Sequence, residues 1–542
     1  MKHAALFALA AALCLAADPA SACTNLLVTP GASADGSAIV TYTCDGPFHP
    51  RLRVRPAEDH AADAVVELRS WDGTLRGTIP QVPHTFAVVG LQNEHQLVIA
   101  ETTTTGREEL QNPDGLLHYW DLMQLALQRA KTAREAVTVM TGLVATHGYR
   151  STAEAFSIAD PSEVWLLEMI GTGPGGEGAL WVALRVPDGY VSAHANGARI
   201  GEIPPADPDS CRHSPNLVSF AVERGWYDPS AGKPFRFDEV YGAHTPQTLR
   251  YTATRVWSLF RRLAPSLDLS PDYHRAVPDA SPYPLWVKPD RRLTVADVMA
   301  LMRDHYEGTP YDMTRGLDAG PFGSPYRPRP MAFEVDGQRY SWERPISTPQ
   351  SGFSFVSQSR SWLPDPIGGV TWYGVDDTFT TCYFPVYCGV DRVPESYATG
   401  SLGRFSWDSA YWVFNFVANF ANLRYSAMIQ DIQAVQREVE GHLLALQPAV
   451  ERTAAALHNT DRALLVRYLT DYSVTHGQEV VRRWRELAER LVTKYNDGYV
   501  QDAEGEVEEV GYPEEWLRRV VRERGEGLRL EQPAPTATEL PY

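Results

Sequence analysis

The chain has 542 residues, 44% of them apolar, and a formal charge of −18 from 49 basic and 67 acidic side chains. That length supports a large buried core. The charge excludes a non-specific nucleic-acid or anionic-membrane binder. Past the first residues, no apolar run is long and charge-free enough for an integral membrane span.

Residues 1–22 read as a secretory signal: Met-Lys-His, an apolar stretch from Ala4 to Ala17, then small residues at Ala20 and Ala22 in an A-x-A pattern. Cutting after Ala22 makes Cys23 the first residue and sends the protein to the periplasm or cell exterior. A terminal cysteine carries its own base. Its α-amino group, with a pKa of about 7.7–8.0, is partly neutral near pH 7 and can take the thiol proton. Lipidation of Cys23 is the competing reading, disfavoured by Ala20 where lipoprotein signals carry a large aliphatic residue. An inert buried thiol is the other. Of six cysteines, Cys14 leaves with the signal. Cys23, Cys44, Cys211, Cys382 and Cys388 remain, an odd set, with Cys382 and Cys388 close enough in sequence to bridge.

Residues 24–28 and 37–43 form a predicted hairpin opened by Cys23. Residues 86–91 and 96–102 form a second strand pair. Residues 116–142 have helical spacing, with Thr132 and Glu135 as a capping box for a second helix. Residues 155–160 and 163–171 form another hairpin, and 179–186 with 190–195 one more. Helices are expected over 249–262 and 294–307. Residues 311–375, rich in Pro, Gly, Arg and Trp, read as loops over the core. Long helices follow over 409–446 and 461–495, then an acidic, Pro-rich tail. Short turns between strands favour an antiparallel α+β core over a parallel sheet. The domain reading is 1–22 signal, 23–400 catalytic core, 401–500 helical region and 501–542 tail.

A cysteine attacking a carbonyl needs a base, donors for the oxyanion and groups that grip substrate. Asp45 follows the first hairpin, so pairing returns it near the chain start, where a carboxylate can hold an ammonium. The Asp45-Gly46 pair also reads as a plain turn. Asn196 ends a strand and can aim its amide at an oxyanion. His194 is a base candidate with no paired carboxylate, which favours a structural role. Arg255 and Arg250 do not share a helix face. Glu101 and Thr102 end a strand and suit a pocket or a sheet edge. Asp376-Asp377 reads as a cation site or, more simply, a solvated turn. No metal, nucleotide or serine-esterase motif is present, so no cofactor is expected.

The stretch Cys23-Thr-Asn-Leu-Leu-Val-Thr-Pro-Gly-Ala-Ser-Ala-Asp-Gly-Ser37, followed by Thr41-Tyr-Thr-Cys-Asp45, resembles the PepD-like dipeptidases of the N-terminal-nucleophile hydrolase superfamily. Similar blocks continue at Asn93-Glu94, Glu101-Thr-Thr-Thr, Phe156-Ser-Ile-Ala-Asp160, Glu163-Val-Trp-Leu-Leu-Glu168, Ser192-Ala-His-Ala-Asn196 and, later, in residues 251–257, 344–360 and 372–388. The resemblance implies a four-layer αββα core and cleavage of short peptides through an acyl-enzyme on Cys23. It assigns Asp45, Asn196 and Arg255 to the catalytic set. Where the superfamily has an early arginine, this chain has Tyr42, whose hydroxyl donates a hydrogen bond but carries no fixed charge. A second pocket asparagine has no counterpart; Glu101 and Thr102 stand nearby. Two other readings stay open: an amide hydrolase acting on acylated amines, and an inactive secreted binding protein. A homo-oligomer is possible on this reading.

Overall fold

A computed structural model describes residues 23–502 and 504–530. The signal-like segment and the last twelve residues of the tail lie outside the described residues, as does position 503. The fold is α+β and is organised by two wholly antiparallel sheets. The seven-stranded sheet runs Trp286–Val287, Val191–His194, Asn25–Val28, Ile39–Asp45, Ser351–Gln358, Val370–Val375, Phe384–Tyr387. The eight-stranded sheet runs Cys211–His213, Leu180–Arg185, Val164–Ile170, Glu154–Ala159, Val98–Thr103, Gln92–Asn93, Val88–Val89, Val54–Arg55. Central strands such as Asn25–Val28 and Val164–Ile170 are buried at every position. Both faces of each sheet are therefore covered, which explains why these strands read as apolar runs rather than clean alternations.

Helices Tyr119–Arg129 and Ala133–His147 press Leu122, Leu125, Val137 and Met140 onto Ile99, Phe156 and Trp165 of the eight-stranded sheet. Thr132 caps the second of these by accepting from Glu135 N at 3.2 Å. The Glu135 carboxylate reaches Lys131 N instead of Thr132 N, so the box is one residue out of register. Helices Pro246–Leu263, Ala410–Ala421, Tyr425–Thr460 and Arg462–Lys494 cover the seven-stranded sheet. Gly477 lets the last of them approach closely: a Cβ there would fall 2.5 Å from Pro394 and 2.8 Å from the Phe384 ring. Phe414 and Trp484 stack between helices at 4.8 Å.

The sheets meet across a polar seam. Asn25 Nδ2 donates to Ser157 Oγ at 3.0 Å, and the His194 ring bridges Thr102 Oγ1 at 2.9 Å and Ser157 Oγ at 2.6 Å. Every group there is buried, so unpaired donors or acceptors would be costly. The seam fixes how one sheet sits on the other.

Several expectations need correction. Residues 180–185 and 191–194 do not pair; the turn between them, with Gly189 at φ +84°, carries the chain from one sheet to the other. Residues 311–375 are not all loop. Ser351–Gln358 and Val370–Val375 are central strands, disguised in sequence by Ser and Gly that pack under aromatic neighbours. The helix expected over 294–307 ends at Leu301. The one expected over 409–446 breaks at residues 422–424, and its second part continues through Pro448 to Thr460. Part of the expected tail forms the helix Glu514–Leu528. All five described cysteines are free thiols. Cys382 and Cys388 flank the strand Phe384–Tyr387, whose extended length of about 13 Å already exceeds disulfide reach. Asp376 and Asp377 form no solvated turn: both are buried and hydrogen-bonded within the chain, to Asn415 and to Ser347 and Tyr326. Among the described residues no group of three metal-ligating side chains is present, and no helix is long and apolar enough to cross a membrane.

The helical region is tied to the sheet by a buried ion pair. Arg303 meets the Glu440 carboxylate at 2.5 and 3.0 Å, and Glu440 also accepts from Tyr383 N at 2.9 Å. Glu440→Ala leaves that N–H without its acceptor and the guanidinium with only the Thr378 and Thr381 carbonyls and no counter-charge. The expected loss is about 3 kcal/mol of stability, read as a lowered urea midpoint in a single transition. A separate early transition would show that the helices fold apart from the sheets.

Candidate active site

Cys23 enters the first strand directly. The isolated bridge between Thr24 and Thr43, with Thr43 N donating to Thr24 O at 3.1 Å, places Cys23 opposite Cys44. The Cys23 side chain is 1% exposed. Its Sγ stands 3.8 Å from the Tyr42 hydroxyl and 3.8 Å from Glu101 Oε1, and the Tyr42 hydroxyl donates to that same carboxylate oxygen. Thus the first sheet contributes Cys23 and Tyr42, and the second contributes Glu101.

Behind Cys23 lies Arg255, fully buried in the helix Pro246–Leu263. Its Nη1 donates to Cys23 O at 2.7 Å and Thr24 Oγ1 at 2.9 Å. Its Nη2 donates to Ala195 O at 3.1 Å and Asn196 Oδ1 at 2.9 Å. One guanidinium therefore joins Cys23 to the residue expected to face the oxyanion, in a fork geometry that lysine cannot supply. Burial, then the nearby Arg344 cation, lower its pKa to about 9, so it stays charged at neutral pH. Asn196 holds φ +60°, a left-handed conformation that asparagine tolerates better than most residues. One of its amide N–H groups donates to Thr103 O at 2.6 Å.

Asp45 ends the second strand, one residue past Cys44, and Arg344, Ser351 and Thr43 all donate to its carboxylate. Burial alone would lower the Arg344 pKa; the Asp45 charge beside it outweighs this and holds it above the ordinary range. Asp45 thus has three donors from its own chain and positions the strand end. The structure does not bring Thr102 and His194 to Cys23 as substrate contacts. They bond each other in the seam beside Asn25. Burial and Arg199 lower the His194 pKa to about 3, so the ring is neutral and no base for the thiol.

Three groups at the site were not singled out from sequence. Arg344 was visible only within a block of resemblance. Cys44 follows from the hairpin register once Cys23 is placed. Glu154 sits diagonally across from Glu101 on the paired strand, with Thr103 Oγ1 donating to its Oε1 at 3.1 Å. Glu101 and Glu154 are both buried, and Oε2 of each lacks a donor from elsewhere. Two carboxylates so placed cannot both ionise. Burial and then Glu101 push the Glu154 pKa well up, so Glu154 holds the proton that the pair shares.

The thiol is not a preformed thiolate. Burial, then Cys44 and the Glu101 charge, raise its pKa well above the usual value. The same burial and the nearby Cys23 raise Tyr42. Ionising Cys23 in this setting requires a proton acceptor and a compensating positive charge.

Residues 22–438 match Peptidase family C69, and the chain belongs to that family. A probable dipeptidase of Latilactobacillus sakei is 25% identical over 81% of this chain and 89% of its own length. A probable dipeptidase of Salmonella dublin is 26% identical over 71% and 84%, respectively. A dipeptidase of Bifidobacterium longum (strain NCC 2705) is 26% identical over 78% and 82%.

The raised thiol pKa has a measurable consequence. With residues 1–22 retained, alkylation of Cys23 by iodoacetamide is expected to keep accelerating above pH 8.5, the ordinary thiol pKa being about that value. Glu101→Gln removes a neighbouring negative charge and is expected to move the profile to lower pH. An unchanged profile would show that Glu101 does not act on the sulfur.

Proposed function

We propose that the chain is an exported cysteine dipeptidase, with a four-layer αββα N-terminal-nucleophile core and Cys23 as its mature first residue. What supports this is membership of a peptidase family, relatives named as dipeptidases, and helices on the outer face of each of two antiparallel sheets. The observation that carries it is the position of Cys23: a buried sulfur between the sheets, next to Tyr42 and Glu101, with its own carbonyl gripped by Arg255.

Removal of residues 1–22 frees an α-amino group on the residue that bears the thiol. The neutral amine takes the thiol proton, and the resulting ammonium supplies a compensating charge on the same residue as the sulfur. The thiolate attacks the scissile carbonyl carbon. The second amide N–H of Asn196 and a backbone N–H stabilise the oxyanion, with Arg255 fixing the Asn196 side chain. As the C–N bond breaks, the ammonium of Cys23 gives its proton to the leaving amine, and a thioester remains. Water, deprotonated by the same amine, attacks that thioester and releases the acid. Glu101, its charge kept by the proton on Glu154, binds the ammonium of the substrate's first residue, which selects free N-termini. Tyr42 orients the thiol by hydrogen bonding where the superfamily arginine would act by charge.

Cys23→Ala is expected to fold normally and to lose at least about a thousandfold in kcat on dipeptides, as for removal of a covalent nucleophile. Intact mass of active protein is expected to begin at Cys23 with an unmodified amine. Full activity in Cys23→Ala, or in protein with residues or an acyl group ahead of the sulfur, would refute the mechanism.

A further inference from the structure

Cross-strand partners on an antiparallel sheet share a face. Phe353 lies opposite Cys44 and Phe355 opposite Tyr42; Tyr373 lies opposite Phe355 on the next strand. These rings therefore continue the face that carries the nucleophile. Tyr42 touches Phe353 and Phe355 edge-on, with centroids 5.5 and 5.9 Å apart. Strand spacing puts Phe353 about 10 Å from the Cys23 backbone. On the side of these rings a cavity of about 420 Å³ opens, lined by Phe353, Phe355 and Tyr373 and by Arg51, Arg53 and Arg55.

The three arginines are exposed, and among the described residues neither Arg53 nor Arg55 has a carboxylate partner. Partial burial, then the Arg53 charge, lower the Arg55 pKa. In a chain with 67 acidic and 49 basic side chains, arginines left uncompensated beside a cavity mark a place for an anion. On the opposite side of Tyr42 stands the buried carboxylate pair Glu101–Glu154.

We propose that this cavity holds the leaving residue of the substrate, with its side chain against Phe353, Phe355 and Tyr373 and its terminal carboxylate toward Arg53 and Arg55. The site then has two poles, carboxylates for the ammonium end and guanidinium groups for the carboxylate end, with the sulfur between them. The substrate class is a zwitterionic dipeptide whose second residue is aromatic or otherwise large and apolar. The inference rests on the dipeptidase reading and adds to it the residues that recognise the C-terminal half.

The test compares Ala-Phe, its C-terminal amide Ala-Phe-NH2, and Ala-Ala on the mature enzyme and on an Arg53→Gln/Arg55→Gln variant. The wild type is expected to prefer Ala-Phe over the amide by about tenfold in kcat/KM, mostly through KM, the scale of one charge-assisted contact. It is also expected to prefer Ala-Phe over Ala-Ala. The variant is expected to lose the preference for the free carboxylate while turning over the amide at the wild-type rate. An Arg53→Lys/Arg55→Lys variant, which keeps the charges, is expected to retain most of that preference. Equal use of acid and amide by the wild type overturns the assignment. So does a full preference surviving in the Gln variant, or faster hydrolysis of an N-acylated amine, which would make the cavity an acyl pocket. Failure of the underlying reading looks different: no peptide is cleaved, or cleavage is undiminished in Cys23→Ala. Either result removes the cavity's role with it, whereas loss of discrimination alone removes only the cavity.

Discussion

The Arg255 guanidinium is the constraint on which the site depends. It is fully buried, and it donates to oxygen atoms without formal charge: two at the start of the first strand, two just past the Val191–His194 strand, and one in its own helix. A buried cation is tolerated only when its donors are met. That requirement works in both directions here. It locks the helix to the sheet, and it ties Cys23 to Asn196. The Asp45–Arg344 pair repeats the device at the end of the second strand beside Cys44, this time with a formal negative charge.

Around these brackets the electrostatics are opposed to a standing thiolate. Glu101, the Tyr42 hydroxyl and Cys44 surround the sulfur, and burial, then Cys44 and the Glu101 charge, make its anion harder to form. A tyrosine hydroxyl bonded to Glu101 confers direction but no charge. On the mechanism proposed above, the compensating charge comes from the amine of Cys23 or from the ammonium of a bound peptide, which would link processing, substrate binding and thiol ionisation.

Local pattern made much of this visible before the structure. The opening hairpin, the two helices after residue 116, the arginine-bearing helix and the long C-terminal helices follow periodicity and caps, which are properties of neighbouring residues. Cys23, Asn196 and Arg255 were legible too, and the structure joins them through one side chain. What sequence could not show is pairing over long separation. Ser351–Gln358 reads as loop because its small residues alternate with aromatics that meet partners elsewhere in the chain. Residues 180–194 read as one hairpin because nothing local records that the strands belong to different sheets. Thr102 and His194 had the chemistry of site residues, and only the inter-sheet seam shows that they satisfy each other. Arg344 and Glu154 were missed for the same reason: each acquires its role from a residue far away in sequence.

That dependence on distant partners also governs the order in which the molecule can mature. Asp45 meets Ser351 across 306 positions, and Arg255 reaches Cys23 across 232. Loop closure of this size is slow, and its entropy must be overcome before the contacts form. The residues around the sulfur therefore come together only after about two-thirds of the polypeptide has been made and gathered. A nascent or shortened chain carries Cys23 from its first moments, yet lacks the partners that enclose it.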